Sequence, residues 1–134
     1  MNVKVTRVGG HRLRAECGGF EVSTGRVDKD HAAAGMSPPE LLVAAVGLCV
    51  GSRIVTQMEN RGLPLGALEV TVKSRVDKDL RRVTSLGIEI TAEADLTPEQ
   101  YDVILEEAQQ CMVANTIKNP PEFSYSLKLA PRKP

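Results

Sequence analysis

One stretch constrains this chain more than any other: Ser37 to Gly62, SPPELLVAAVGLCVGSRIVTQMENRG. It carries start and stop signals for a single long helix. Ser37 suits the N-cap, Pro38 the first helical position, and Glu40 completes a capping box three residues on. Gly62 fits the position just past the end, and Pro64 follows where a helix would not continue. The span between is about two dozen residues, or roughly 36 Å. Leu41 to Val50 has no polar side chain, and a helix apolar all round is surrounded by protein or by lipid. A membrane span needs about 20 apolar residues. This run stops well short, at Ser52, Arg53 and Gln57, so the sequence predicts a buried core helix and no membrane anchor.

The rest of the chain must cover that helix. A length of 134 residues is ordinary for a single domain, 1–134. Lys plus Arg and Asp plus Glu are both 17, giving zero formal charge. That balance argues against nucleic acid, whose phosphates need a basic stripe. The local cluster Arg75, Lys78, Arg81 and Arg82 is interrupted by Asp77 and Asp79 and reads as a solvated hairpin end. Met1 leads straight into an alternating strand, which predicts no secretory signal. Three cysteines cannot all pair within one chain. The expected compartment is therefore the reducing cytoplasm, where a disulfide is transient and catalytic.

Residues 1–8 alternate, Val3 and Val5 against Asn2, Lys4 and Thr6. Gly9-Gly10 and Gly18-Gly19 are turn signals around a second strand, in which Leu13, Ala15 and Cys17 share a face. Phe20 and Val22 continue a third. A polar loop, Gly25 to Met36, holds Arg26, Asp28, Lys29, Asp30 and His31 and is long for a connection. Beyond Gly62, Leu68, Val70 and Val72 alternate, and so do Leu86, Ile88 and Ile90, either side of a polar turn. Thr97-Pro98-Glu99-Gln100 repeats the capping formula. The helix it opens places Tyr101, Ile104, Leu105, Ala108, Cys111 and Met112 on one stripe, until Asn119-Pro120-Pro121. Phe123, Tyr125, Leu127 and Leu129 alternate as a final strand, and Pro131 to Pro134 is a tail. The expected order is βββ-α-ββ-α-β, an α+β class. Six short strands and one amphipathic helix are a thin coat for a helix apolar all round. A second copy of the chain supplies the missing face, so a homodimer is expected.

Two cysteines draw the chemistry. A free cysteine often merely packs, but Cys49 on the first helix and Cys111 on the second both face the core. Two such thiols come within disulfide reach when their Cα atoms are about 4.4–6.8 Å apart. A reacting thiol with a second to resolve it is the arrangement of thiol peroxidases and redox sensors. Cys17, on a strand beside a glycine turn, reads as packing. A reactive thiol needs a nearby cation. Arg53 is one turn past Cys49, and Arg26 precedes the helix in the loop and can fold back over it. Glu40, besides capping, can pair with such an arginine and aim it. His31 reads as a solvated loop histidine. Two histidines and three scattered cysteines have no metal-ligand spacing.

Ser37-Pro38-Pro39-Glu40-Leu41-Leu42 followed by Ala44-Ala45-Val46-Gly47-Leu48-Cys49 resembles the signature of the OsmC/Ohr family of hydroperoxide-reducing proteins. Cys111-Met112-Val113-Ala114-Asn115-Thr116 resembles the family's second motif, with Met112 where a proline is usual. The loop 27–36 lacks the aromatic and glycine-rich character of the peroxidase branches. The resemblance implies two antiparallel sheets around long central helices in an intertwined homodimer, with the active site at the subunit interface. It implies that Cys49 attacks the peroxide and that Cys111 condenses with the resulting sulfenic acid. An external dithiol then reduces the pair, with no bound cofactor or metal. Glu40 matches the family glutamate that holds an arginine over the thiolate, and Arg26 is the positional match for that arginine. The expected partners are a second copy, a small organic hydroperoxide and a thiol reductant. The alternative is an OsmC-like redox sensor, or a dimer binding a small apolar ligand without turnover.

Overall fold

A computed structural model describes residues 1–133; the tail's last residue, Pro134, lies outside the described residues. The elements run β1 (Lys4–Gly9), β2 (Arg12–Cys17), β3 (Phe20–Thr24), α1 (Pro38–Asn60), β4 (Leu68–Asp77), β5 (Arg82–Ala92), α2 (Pro98–Ala108) and α3 (Met112–Lys118). The class is α+β, with two small antiparallel sheets, β1-β2-β3 and β4-β5.

Helix α1 begins and ends where its residues dictate. Ser37 N–H donates to Glu40 Oε1 at 3.0 Å, and Glu40 N–H donates to Ser37 Oγ at 3.4 Å. These bonds satisfy two donors that the first turn leaves unpaired. At the other end Gly62 takes φ 64°, and Leu63 N–H reaches back to Met58 O at 2.9 Å. That left-handed cap suits glycine, which has no Cβ to clash. Thr97 and Gln100 close the same box on α2, at 3.0 and 3.2 Å.

Along α1, Val46, Val50, Ile54 and Met58 recur at i+4 and are the buried stripe. They pack with Ile104 and Ala108 of α2 and with Cys111. Burying each such aliphatic side chain contributes about 2 kcal/mol. The β4-β5 hairpin pairs Val70 with Ile90 and Val72 with Ile88. It lies close under α1 because Gly47 and Gly51 present no side chain. A Cβ on Gly47 would stand 3.2 Å from Val72 Cγ2, and one on Gly51 would stand 3.6 Å from Val70 Cγ2.

Two expectations change. The second helix is not continuous: it stops at Ala108, and α3 starts at Met112. Cys111 is the N-cap of α3, not a stripe residue at a helix end. Residues 119–133 form no ladder with the rest of the chain, so the expected final strand is unpaired here. Phe123, Tyr125, Leu127 and Leu129 are all exposed, Tyr125 at 89%. Their alternation joins neither sheet, although both sheets have open edges.

The thin coat expected of a single chain does leave part of α1 bare. Leu42 and Val55 are exposed, and Leu48 is 74% exposed. By length and hydropathy alone α1 meets the requirement for a membrane span. Its packed stripe is nonetheless that of a helix lying on a sheet. The β1-β2-β3 meander carries an uncovered apolar face too. Val5, Ala15 and Val22 stand directly opposite one another, Val5 and Val22 are exposed, and Phe20 is 82% exposed.

Candidate active site

Cys49 sits midway along α1, one position from the buried Val50, and is itself only partly buried. Its helix packs against β4 and α2, so the thiol is held in place by α1 rather than by a loop. Cys111 is 1% exposed and belongs to the core cluster against which Cys49 packs. Cys111 Sγ accepts the Ala114 N–H at 3.4 Å, the N-cap bond of α3.

The two cysteines open on one cleft of about 700 Å³ between α1 and α3. Arg53, Ser52, Asn115 and Thr116 also line it. Burial pushes the Cys111 thiol up from its ordinary range, because a thiolate there would lose its water. The Ala114 N–H works the other way, the neighbouring Cys49 thiol pushes it further up, and Lys118 pulls it down. So Cys111 is held in its neutral form, with the neighbouring Cys49 thiol adding to the effect of burial.

The cation nearest in sequence, Arg53, is already engaged. Its Nε donates to Glu107 O at 3.2 Å and its Nη2 to Glu107 Oε2 at 2.5 Å. Both partners are about one-third exposed, 34% and 32%.

Arg26 and Glu40 are not beside the thiols in the single chain. The Arg26 carbonyl accepts His11 N–H at 3.0 Å, tying the loop to the β1-β2 turn. Its side chain borders a polar recess with Arg7, Asp28 and Lys29. Glu40 faces back onto Ser37, whose backbone N–H and hydroxyl both lower its pKa. His31 Nδ1 lies 2.6 Å from Asp28 Oδ1 on the exposed loop. Cys17 is exposed at the end of β2, opposite Phe20, and so does not pack within the chain.

A family model for OsmC-like protein matches residues 28–126. The chain belongs to the OsmC-like family. The matched span of this OsmC-like chain takes in the loop, α1 with Cys49, the β4-β5 hairpin and α3 with Cys111. No curated relative matches it in sequence. Solved structures match its fold. A proposed osmotic-stress-induced and detoxification-response protein from Psychrobacter arcticus 273-4 is 24% identical, with a TM-score of 0.73 over 87% of each chain. An OsmC-like protein from Mycoplasma pneumoniae is 10% identical, with a TM-score of 0.73 over 89% of this chain and 87% of that one. The organic hydroperoxide resistance protein OhrB of Bacillus subtilis is 20% identical, with a TM-score of 0.53 over 90% and 93%.

Sequence reasoning missed two things at this site. The break before Cys111 has no Gly or Pro to announce it, since Gln109 and Gln110 are ordinary helix residues. Glu107 was one of several carboxylates on α2 and only the folded contact with Arg53 distinguishes it.

Proposed function

We propose that this OsmC-like chain is a thiol-dependent peroxidase for organic hydroperoxides, with Cys49 peroxidatic and Cys111 resolving. One observation carries the reading: a partly exposed thiol and a buried, neutral thiol share one cleft. The exposed member meets the peroxide. The Cys49 thiolate attacks the outer peroxide oxygen, the O–O bond breaks, and the alcohol departs with a proton. Cys49 is left as a sulfenic acid. Cys111 attacks that sulfur, water leaves and a disulfide remains. An external dithiol restores both thiols by exchange.

On this reading the active form is a homodimer, and Arg26 with Glu40 reaches Cys49 of the other copy. Three uncovered surfaces support a second copy: the α1 face with Leu48, the meander face with Phe20, and the unpaired segment 119–133. The similarity to the Bacillus subtilis organic hydroperoxide resistance protein supports the substrate class. The proposal includes a cytoplasmic setting, where dithiol reductants are supplied.

Incubation with cumene hydroperoxide and a dithiol tests it. Peroxide consumption that is lost in Cys49→Ser is expected. No consumption by the parent chain, or undiminished consumption by Cys49→Ser, refutes it. A second reading, a non-catalytic apolar-ligand dimer, draws on the groove of about 860 Å³ lined by Val46, Val50, Ile90 and Leu105. It predicts a copurifying ligand and no turnover.

A further inference from the structure

Helix α2 ends with no basic residue in its last turn. Its final carbonyls therefore carry the negative end of the helix dipole without a local counter-charge. Arg53 brings that charge from α1. Its Nε binds Glu107 O at 3.2 Å, while its Nη2 holds the Glu107 carboxylate at 2.5 Å. The same carbonyl accepts Gln110 N–H at 3.1 Å, the bond that closes the tight turn ending α2. The next residue is Cys111, the N-cap of α3. Among the described residues this is the only ion pair joining α1 to another element. The guanidinium thus grips the very turn on which Cys111 is mounted, and does so one helical turn along α1 from Cys49.

We propose that Arg53 and Glu107 are positioning residues for closure of the Cys49–Cys111 disulfide: they fix the turn that presents Cys111 to Cys49. The inference rests on the two-thiol reading above and adds residues that reading does not use. A disulfide tolerates only a narrow range of Cα separations and torsions. The Cys111 side chain packs in the core, but its backbone is on a connection just three residues long between α2 and α3, outside any helix or strand. A clamp on Glu107 supplies that restraint. The step it governs is the condensation. The Cys49–O bond breaks, the Cys49–Cys111 bond forms, and the hydroxyl leaves with the Cys111 proton as water. Cys49 is reduced from sulfenic acid as the Cys111 thiol is oxidised.

Two measurements on the full-length chain separate the clamp from the peroxidase reading. The first equilibrates the thiol pair with a glutathione redox buffer and needs no peroxide. Arg53→Met is expected to lower the effective concentration of one thiol for the other by about tenfold, the scale of a lost charge-assisted contact. Arg53→Lys, which keeps the charge but not the fork, is expected to recover part of it. Glu107→Gln tests the same clamp if Arg53→Met fails to fold. An unchanged equilibrium in the folded variants overturns the proposal.

The second measurement follows cumene hydroperoxide by rapid mixing. Glu107→Gln is expected to leave sulfenic acid formation at Cys49 unchanged while slowing disulfide closure by about tenfold. Equal slowing of both steps overturns the proposal, because the pair would then act on the whole site. A parent chain that forms no sulfenic acid, yet shows the glutathione shift, sinks the peroxidase and leaves the clamp standing.

Discussion

The sulfur of Cys111 accepts the Ala114 amide hydrogen at 3.4 Å, so one atom both caps α3 and faces Cys49. Serine preserves a capping oxygen and removes the resolving thiol. Cys111→Ser is expected to remain folded and to accumulate sulfenic acid on Cys49. Cys111→Ala loses the cap and should be less stable than Cys111→Ser by about 1 kcal/mol. Urea unfolding of the two variants side by side checks this, and equal midpoints and slopes would show that the sulfur cap has no weight.

Burial raises the Cys111 pKa, and the sign of its effect follows. The folded chain holds the proton to higher pH than the unfolded chain does. Its contribution to stability is thus complete below the ordinary thiol range and is lost as pH rises through the raised value. Disulfide closure should run the opposite way, speeding up with pH as more Cys111 becomes thiolate. Denaturation midpoints of reduced protein across the alkaline range check the first trend. Closure rates after a fixed pulse of peroxide check the second. A closure rate independent of pH would remove Cys111 ionisation from the step.

A Cβ built on Gly47 of α1 stands 3.2 Å from Val72 Cγ2 of β4, a tighter approach than at Gly51. Branched side chains cannot enter that gap without moving the hairpin. Gly47→Val should cost about 1–3 kcal/mol through overpacking, despite its gain in helix propensity. Thermal unfolding against the parent chain checks this. A rise in melting temperature would mean that the sheet yields easily.

The uncovered apolar surfaces carry a prediction about assembly. Sedimentation should report twice the chain mass of 14.5 kDa. Leu48→Asp, placed at an α1 position that is 74% exposed in the single chain, should shift it toward monomer. The same variant should lose peroxide turnover if Arg26 and Glu40 act across the interface. A parent chain that sediments as a monomer contradicts the two-copy site.

Sequence legibility divided along physical lines. The ends of α1 and the start of α2 were legible because caps are local: Ser37 with Glu40, Thr97 with Gln100, and Gly62 each act over a few residues. The hairpins were legible because alternation and glycine turns are local as well. Cys111 was misplaced because its helix breaks between Ala108 and Met112 without a breaker residue, held there by tertiary contacts such as Arg53 with Glu107. That pair spans 54 positions, and no periodicity connects them. The alternation in 123–129 is a real pattern, but a strand also needs a partner, and 119–133 pairs with none of the open edges of the two sheets. Cys49 and Cys111 were singled out by residue type and face. That Cys49 packs against the cluster holding Cys111 required coordinates.

On this reading Cys49 and Cys111 form one redox pair, and peptide mapping after a single equivalent of cumene hydroperoxide reads that link out. Reduced protein is treated, alkylated, digested under non-reducing conditions and analysed by mass spectrometry. A linked peptide joining the Cys49 and Cys111 segments is expected, absent without peroxide and absent in Cys49→Ser. Recovery of both cysteines as alkylated thiols, or a peroxide-dependent link from Cys17 instead, would contradict it.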